Sequence, residues 1–99
     1  MKLLKSQYQD IVGLANSFHI SEKDISLIKR RGRINISIPD FTTSFEFFRR
    51  KSISLSADDH QWEKLEHYEL NFSGQKIIVA SWDEVVHHFE RWLQSNSSS

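Results

Sequence analysis

The 99-residue chain has no cysteine, one proline and three glycines. Without cysteine there is no disulfide, no thiolate metal site and no cysteine nucleophile, which fits a reducing compartment. Three glycines leave no loop to cradle a phosphate, and neither a nucleophile elbow nor a zinc-protease helix motif occurs. No run approaches the ~20 apolar residues of a membrane-spanning helix. Lys2 and Lys5 surround Leu3-Leu4 with no apolar stretch of signal-peptide length. The expected location is cytoplasmic, with no membrane partner. Net charge is missing too, since thirteen Lys/Arg balance thirteen Asp/Glu.

The balance hides a division. Residues 1–56 hold ten Lys/Arg and five Asp/Glu, and residues 57–99 hold three and eight, so the halves stand at +5 and −5. Such a split either folds into a dipolar surface that steers a charged partner or interleaves into a neutral one. Seven Phe, three Trp and two Tyr supply enough large apolar surface for a folded core. The length fits a single domain, expected over 1–93, with Gln94 to Ser99 as a flexible Ser-rich tail.

The strongest local signal is Ser81 to Leu93. Ser81 and Glu84 have capping-box spacing, Asp83 and Glu84 suit the positive end of a helix dipole, and Arg91 suits the negative end. Trp82, Val85, Val86, Phe89, Trp92 and Leu93 share one arc at helical spacing, so the segment reads as a helix lidding the core. A first helix is expected over 6–18, on the spacing of Tyr8, Ile11, Val12 and Ala15. Gly13 either weakens it or admits a close neighbour. His19 ends it, and Ser21 to Asp24 reads as a turn or a single helical turn.

From Ile25 the period becomes two. Ile25–Lys29 and Arg33–Ile38 form a hairpin across Gly32. Pro39-Asp40 breaks the chain, Phe41–Phe48 is a third strand with Phe45 and Phe47 on one side and Glu46 opposed, Arg49 to Ser52 is a turn, and Ile53 and Leu55 mark a short fourth strand. Residues 57–65 are open between a short helix carrying Trp62 and a long loop. Tyr68, Leu70 and Phe72 alternate, Ser73-Gly74 is a turn, and Lys76 to Ala80 has the continuous apolar character of a central strand. The expected fold class is α+β: an antiparallel meander sheet of about five to six strands, with N- and C-terminal helices packed on one face.

Four groups are candidates for function. Lys29, Arg30, Arg31 and Arg33 crowd one hairpin, and Arg49, Arg50 and Lys51 the next basic turn. In a meander, alternate turns share an end of the sheet, so the two groups are expected to form one basic tip that meets phosphates or an acidic protein. Solvated charge at hairpin tips also blunts sheet edges, and that reading stands beside the functional one. Phe47 and Phe48 are expected in the core.

Among the histidines, His87 and His88 diverge by about 100° on a helix and cannot chelate one metal together. His88 with Glu84 lacks a third ligand, and His60, Glu63 and His67 converge only if 57–67 is helical. Asp58, Asp59, Glu63 and Glu66 read as solvated acidic surface more readily than as acid–base machinery. Among the aromatics, Trp62 and Trp92 lie at the ends of their stripes and are candidate anchors for a protein partner.

A helix, three strands and a helix resemble double-stranded-RNA-binding domains in element order. That family's basic Gly-Ser-Lys-Lys-type helix start is absent. The final helix opens with Ser81-Trp82-Asp83-Glu84, which repels phosphate, so the family's function is not carried over.

The resulting expectation is a small non-catalytic protein-interaction or regulatory module, either an immunity- or antitoxin-type inhibitor or a recognition domain detached from a larger protein. It needs no cofactor and no metal, and its partner is another protein. The alternative is nucleic-acid binding through the basic tips. Oligomeric state is open.

Overall fold

The computed structural model describes residues 2–55 and 62–97, with side chains for 2–51 and 66–96. Helix α1 (Lys5–Ser17) leads through a 3₁₀ turn (Glu22–Asp24) into β1 (Ser26–Arg30), β2 (Arg33–Ser37), β3 (Phe45–Leu55), β4 (Trp62–Phe72), β5 (Gln75–Val79) and helix α2 (Trp82–Ser97). The strands form one antiparallel meander in the order β1-β2-β3-β4-β5. Both helices cover the same face.

The tight turns follow their chemistry. Arg31 and Gly32 both have positive φ (52° and 77°), as do Ser73 and Gly74 (50° and 75°). These are the backbone signs of type I′ turns, whose twist matches the flanking strands. Helix α1 stops where His19 takes φ 64°. The Ile20 amide bonds back to the Ala15 carbonyl and the His19 amide to the Asn16 carbonyl, each at 3.0 Å. That pair of bonds is a Schellman stop, with His in the position usually given to Gly.

Strand alternation builds the core. Ile34 and Ile36 of β2, Phe45 and Phe47 of β3, and Leu70 of β4 are sealed against Ile11 of α1 and Val85, Phe89, Trp92 and Leu93 of α2. The rings of Phe72, Phe89 and Trp92 stand 5.1, 5.4 and 5.7 Å from that of Phe45. Each such side chain contributes about 1.5–3 kcal/mol on burial.

Four elements differ from the sequence expectation. First, Arg49–Ser52 is not a turn: β3 runs unbroken to Leu55, so the expected third and fourth strands are one, beginning at Phe45 rather than Phe41. Its residues 45–55 include no Gly, Pro, Asn or Asp, and charge alone does not turn a chain. Second, residues 62–65 belong to β4, not to a helix, with Leu55 opposite Trp62; residues 56–61 lie outside the described ones. Third, the apolar β5 is an edge strand, not a central one. Fourth, α2 continues through Gln94–Ser97, where a flexible tail was expected, and the Asn96 side-chain Nδ2 donates back to the Trp92 carbonyl at 2.8 Å; residues 98 and 99 lie outside the described ones.

β2 pairs with β3 only at Phe45–Phe47, and β5 with β4 only at Tyr68–Phe72. Beyond those pairs, β3 and β4 pair only with each other among the described residues, as far as Leu55↔Trp62. At about 3.3 Å per residue this two-stranded arm reaches roughly 20 Å past the sheet. The molecule accordingly measures 53 × 25 × 24 Å.

Candidate functional site

No described element covers the face of the sheet opposite the helices. Register places Ile28 and Arg30 of β1, Arg33 and Asn35 of β2, Glu46, Phe48 and Arg50 of β3, His67, Glu69 and Asn71 of β4, and Lys76 and Ile78 of β5 on it. Its centre is Phe48. The Arg33 guanidinium lies 5.0 Å and that of Arg50 5.3 Å from the Phe48 ring centroid. Both distances are within cation–π range, and each contact is worth about 0.5–1 kcal/mol at an exposed site.

Carboxylates tie this group down. Arg33 reaches Glu46 at 3.4 Å, Arg50 Nε reaches Glu69 Oε1 at 3.1 Å, and Lys76 Nζ approaches Glu69 Oε2 at 3.8 Å. The Glu69 side chain is only 8% exposed although it sits on the open face. Its strand neighbours in register are Phe48 and Ile78, which shelter it. A desolvated carboxylate between two cations holds Arg50 in place and so holds the side of Phe48 that Arg50 covers.

The seven basic candidates do not form one tip. Arg30, Arg33 and Arg50 are on the open face. Arg31 is at the apex of the β1–β2 turn. Lys29, Arg49 and Lys51 are on the helix side, in register with Ile34, Tyr68 and Glu66. Lys51 approaches Glu66 at 3.8 Å. Once 49–51 is strand, alternation must split its three charges between faces. Arg30, Arg31 and Arg33 still line an open cleft of about 500 Å³ in which Glu46 is the one acidic residue.

Trp92 is not an anchor. It is 1% exposed, its ring lies edge-on to Phe41 at 5.0 Å, and its indole N–H donates to Thr43 Oγ1 at 2.9 Å. The Phe41–Ser44 loop closes over it. The backbone of Trp62 is in the arm, and its side chain is not among those described.

Glu84 is not free to ligate a cation with His88, because its carboxylate accepts from the Ala80 amide at 2.7 Å and the Ser81 amide at 3.2 Å. Among the described residues, no group of three or more His, Asp or Glu side chains could hold a metal ion. His60, Asp58 and Asp59 lie outside the described residues. His88, packed 6.0 Å from the Phe72 ring, is held below the ordinary histidine pKa by burial, then by the charges of His87 and Arg91, with Glu84 opposing.

Phe48, Glu69, Lys76 and Ile78 were not candidates from sequence. The available signal for Phe48 was parity: it shares Glu46's side of the strand, not that of Phe45 and Phe47. Protein-family models, characterised proteins and solved structures were compared with the chain, and none matches.

Proposed function

We propose that this domain is a non-catalytic protein-interaction module that binds its partner on the open sheet face, with Phe48 and arginines 30, 33 and 50 at the centre of contact. The observation that carries this reading is the shared ring: the guanidiniums of Arg33 and Arg50 both pack within 5.3 Å of the Phe48 ring centroid, on a face no described element of the chain covers. Aromatic residues, Phe included, and Arg are enriched in protein interfaces, and Arg is frequent among their hot spots. A ring and guanidiniums already fixed by Glu46 and Glu69 give up little side-chain freedom on binding. Exposed Ile28 and Ile78 extend the apolar part toward both edges. Regulation of a partner, including inhibition, asks no more of this surface than binding.

Nucleic-acid binding is the second reading, favoured by the three arginines around the cleft at Arg31. Against it, Glu46 and Glu69 interleave with the arginines, and Phe48 is the one aromatic on the described part of the face. A phosphate backbone meets both carboxylates, whereas a protein surface of mixed charge complements them.

The test begins with affinity capture from native-host lysate, followed by reconstitution with the purified partner. Phe48→Ala with Arg50→Glu is expected to weaken the reconstituted complex at least about tenfold, the loss of a hot spot. Unchanged affinity refutes the sheet-face site. A titration of short RNA and DNA duplexes at ~50 mM salt addresses the second reading: binding that weakens steeply with salt and is lost in Arg30→Ala with Arg31→Ala would displace the protein reading.

A further inference from the structure

A second surface lies at the other side of the sheet. β5 pairs with β4 alone, so its outer edge presents backbone amides and carbonyls with no neighbouring strand among the described residues. Natural sheets usually blunt such an edge. Here the open-face positions of β5 are Lys76, which turns inward toward Glu69 at 3.8 Å, and Ile78, which is 63% exposed. On the helix side, β5 and α2 flank a cleft of about 230 Å³. Phe72 and Ile77 give it an apolar wall over the buried Trp92, and His88, Arg91 and Ser95 line it from one stripe of α2. That volume is below the ~300–1,000 Å³ of a small-molecule site and suits one amino-acid side chain. Arg91 makes no ion pair among the described residues.

We propose that β5 and this stripe of α2 receive an extended acidic segment of a partner protein, which adds to the sheet as a sixth strand. The free edge supplies main-chain hydrogen bonds and the cleft supplies side-chain selection, the two components of strand-addition recognition. Alternation fixes the pattern. The partner residue opposite Ile77 faces the cleft, where Arg91 and His88 call for an Asp or Glu carboxylate. The residue beside it in sequence lies opposite Ile78 on the open face and is apolar, covering the exposed side chain. The segment therefore carries an apolar-acidic pair. A second copy of this chain fits less well, because edge-to-edge pairing of two β5 strands adds another His88–Arg91 pair along the seam and brings no carboxylate to either.

This site meets the Phe48 surface only at Ile78, and the experiment keeps the two separate. The probe is a capped octapeptide of alternating Thr and Val with a central Ile-Glu pair, titrated to millimolar concentration into the ¹⁵N-labelled full chain. A matched Ile-Lys peptide serves as comparison. The expected result is amide shifts concentrated in Gln75–Val79 and the His88–Ser95 stripe, with the Ile-Lys peptide weaker. The exposed Arg91→Glu variant should lose about tenfold for Ile-Glu and reverse the preference between the peptides, the effect of one charge-assisted pair. Phe48→Ala should leave both affinities unchanged. The proposal is overturned if neither peptide shifts β5, if Arg91→Glu keeps the wild-type preference, or if sedimentation shows a dimer that Ile78→Lys dissociates, which would give the edge to a second copy.

Discussion

Replacing Thr43 by valine removes one hydroxyl and almost no volume. Its consequence depends on whether Trp92 is sealed. The Trp92 side chain is 1% exposed, and its indole N–H has Thr43 Oγ1 as its acceptor at 2.9 Å. A valine side chain offers no acceptor, and Phe41, edge-on at 5.0 Å, stands on the same side of the ring. A buried donor left without a partner costs about 1–3 kcal/mol. A chain of this size has about 5–15 kcal/mol in total, so the loss is a sizeable fraction. With a urea m-value of about 1–2 kcal/mol/M, a loss of about 2 kcal/mol lowers the unfolding midpoint by about 1–2 M. Far-UV circular dichroism is the suitable signal, because Trp62 and Trp82 confuse fluorescence. In a Trp92→Phe background, where the donor is gone, the same substitution should cost almost nothing, so the double-mutant cycle reports the bond itself. A Thr43→Val variant within about 0.3 kcal/mol of wild type would mean that water reaches the indole. That result would return Trp92 to the candidate surface anchors and refute the closed Phe41–Ser44 loop.

Three further outcomes are expected. Gly13 is exposed on α1, and a Cβ added there meets nothing within 4 Å, so Gly13→Ala should stabilise by about 0.5–1 kcal/mol in urea unfolding. His19 holds φ 64°, and His19→Gly should gain up to about 1 kcal/mol at the Schellman stop, whereas His19→Val should lose stability in the same assay. His88 has a folded pKa below its ordinary 6.5, so above that pH it is neutral in both states and adds no pH dependence. As pH falls below 6.5 the unfolded chain takes up the proton first, and stability drops until the folded pKa has been passed. His88→Gln should therefore lose less stability than wild type between about pH 6.5 and the onset of carboxylate titration, read from urea midpoints across that window.

The features legible in the sequence were those whose causes are local. The Ser81–Glu84 capping box is realised in both directions, with the Glu84 amide 3.4 Å from Ser81 Oγ and the Ser81 amide 3.2 Å from the Glu84 carboxylate. Gly32 and Gly74 sit in the turns their residue type demands, and His19 ends α1. What escaped depends on neighbours distant in sequence. Within Phe45–Leu55 the lack of Gly, Pro, Asn and Asp speaks only against a turn at Arg49–Lys51; pairing with the equally long β4 is what makes it strand. The apolar run of β5 reads as central because its side chains resemble a buried strand's, yet α2 covers one of its faces only and Ile78 is left outside. The candidate site shows the same division. Composition found the arginines, but their faces follow from parity along an unbroken strand. Treating 49–52 as a turn placed Arg49, Arg50 and Lys51 together and left Phe48 in the core. Continuous alternation sends Arg50 and Phe48 to the open face and the other two away from it.

The most direct test of binding on the open sheet face is chemical-shift mapping of the ¹⁵N-labelled domain with its purified captured partner. The expected result is perturbation concentrated at Arg30, Arg33, Phe48, Arg50 and Glu69, with the solvent-facing residues of α1 and α2 unchanged. Perturbation confined to those helices, with the Phe48 region silent, would contradict it.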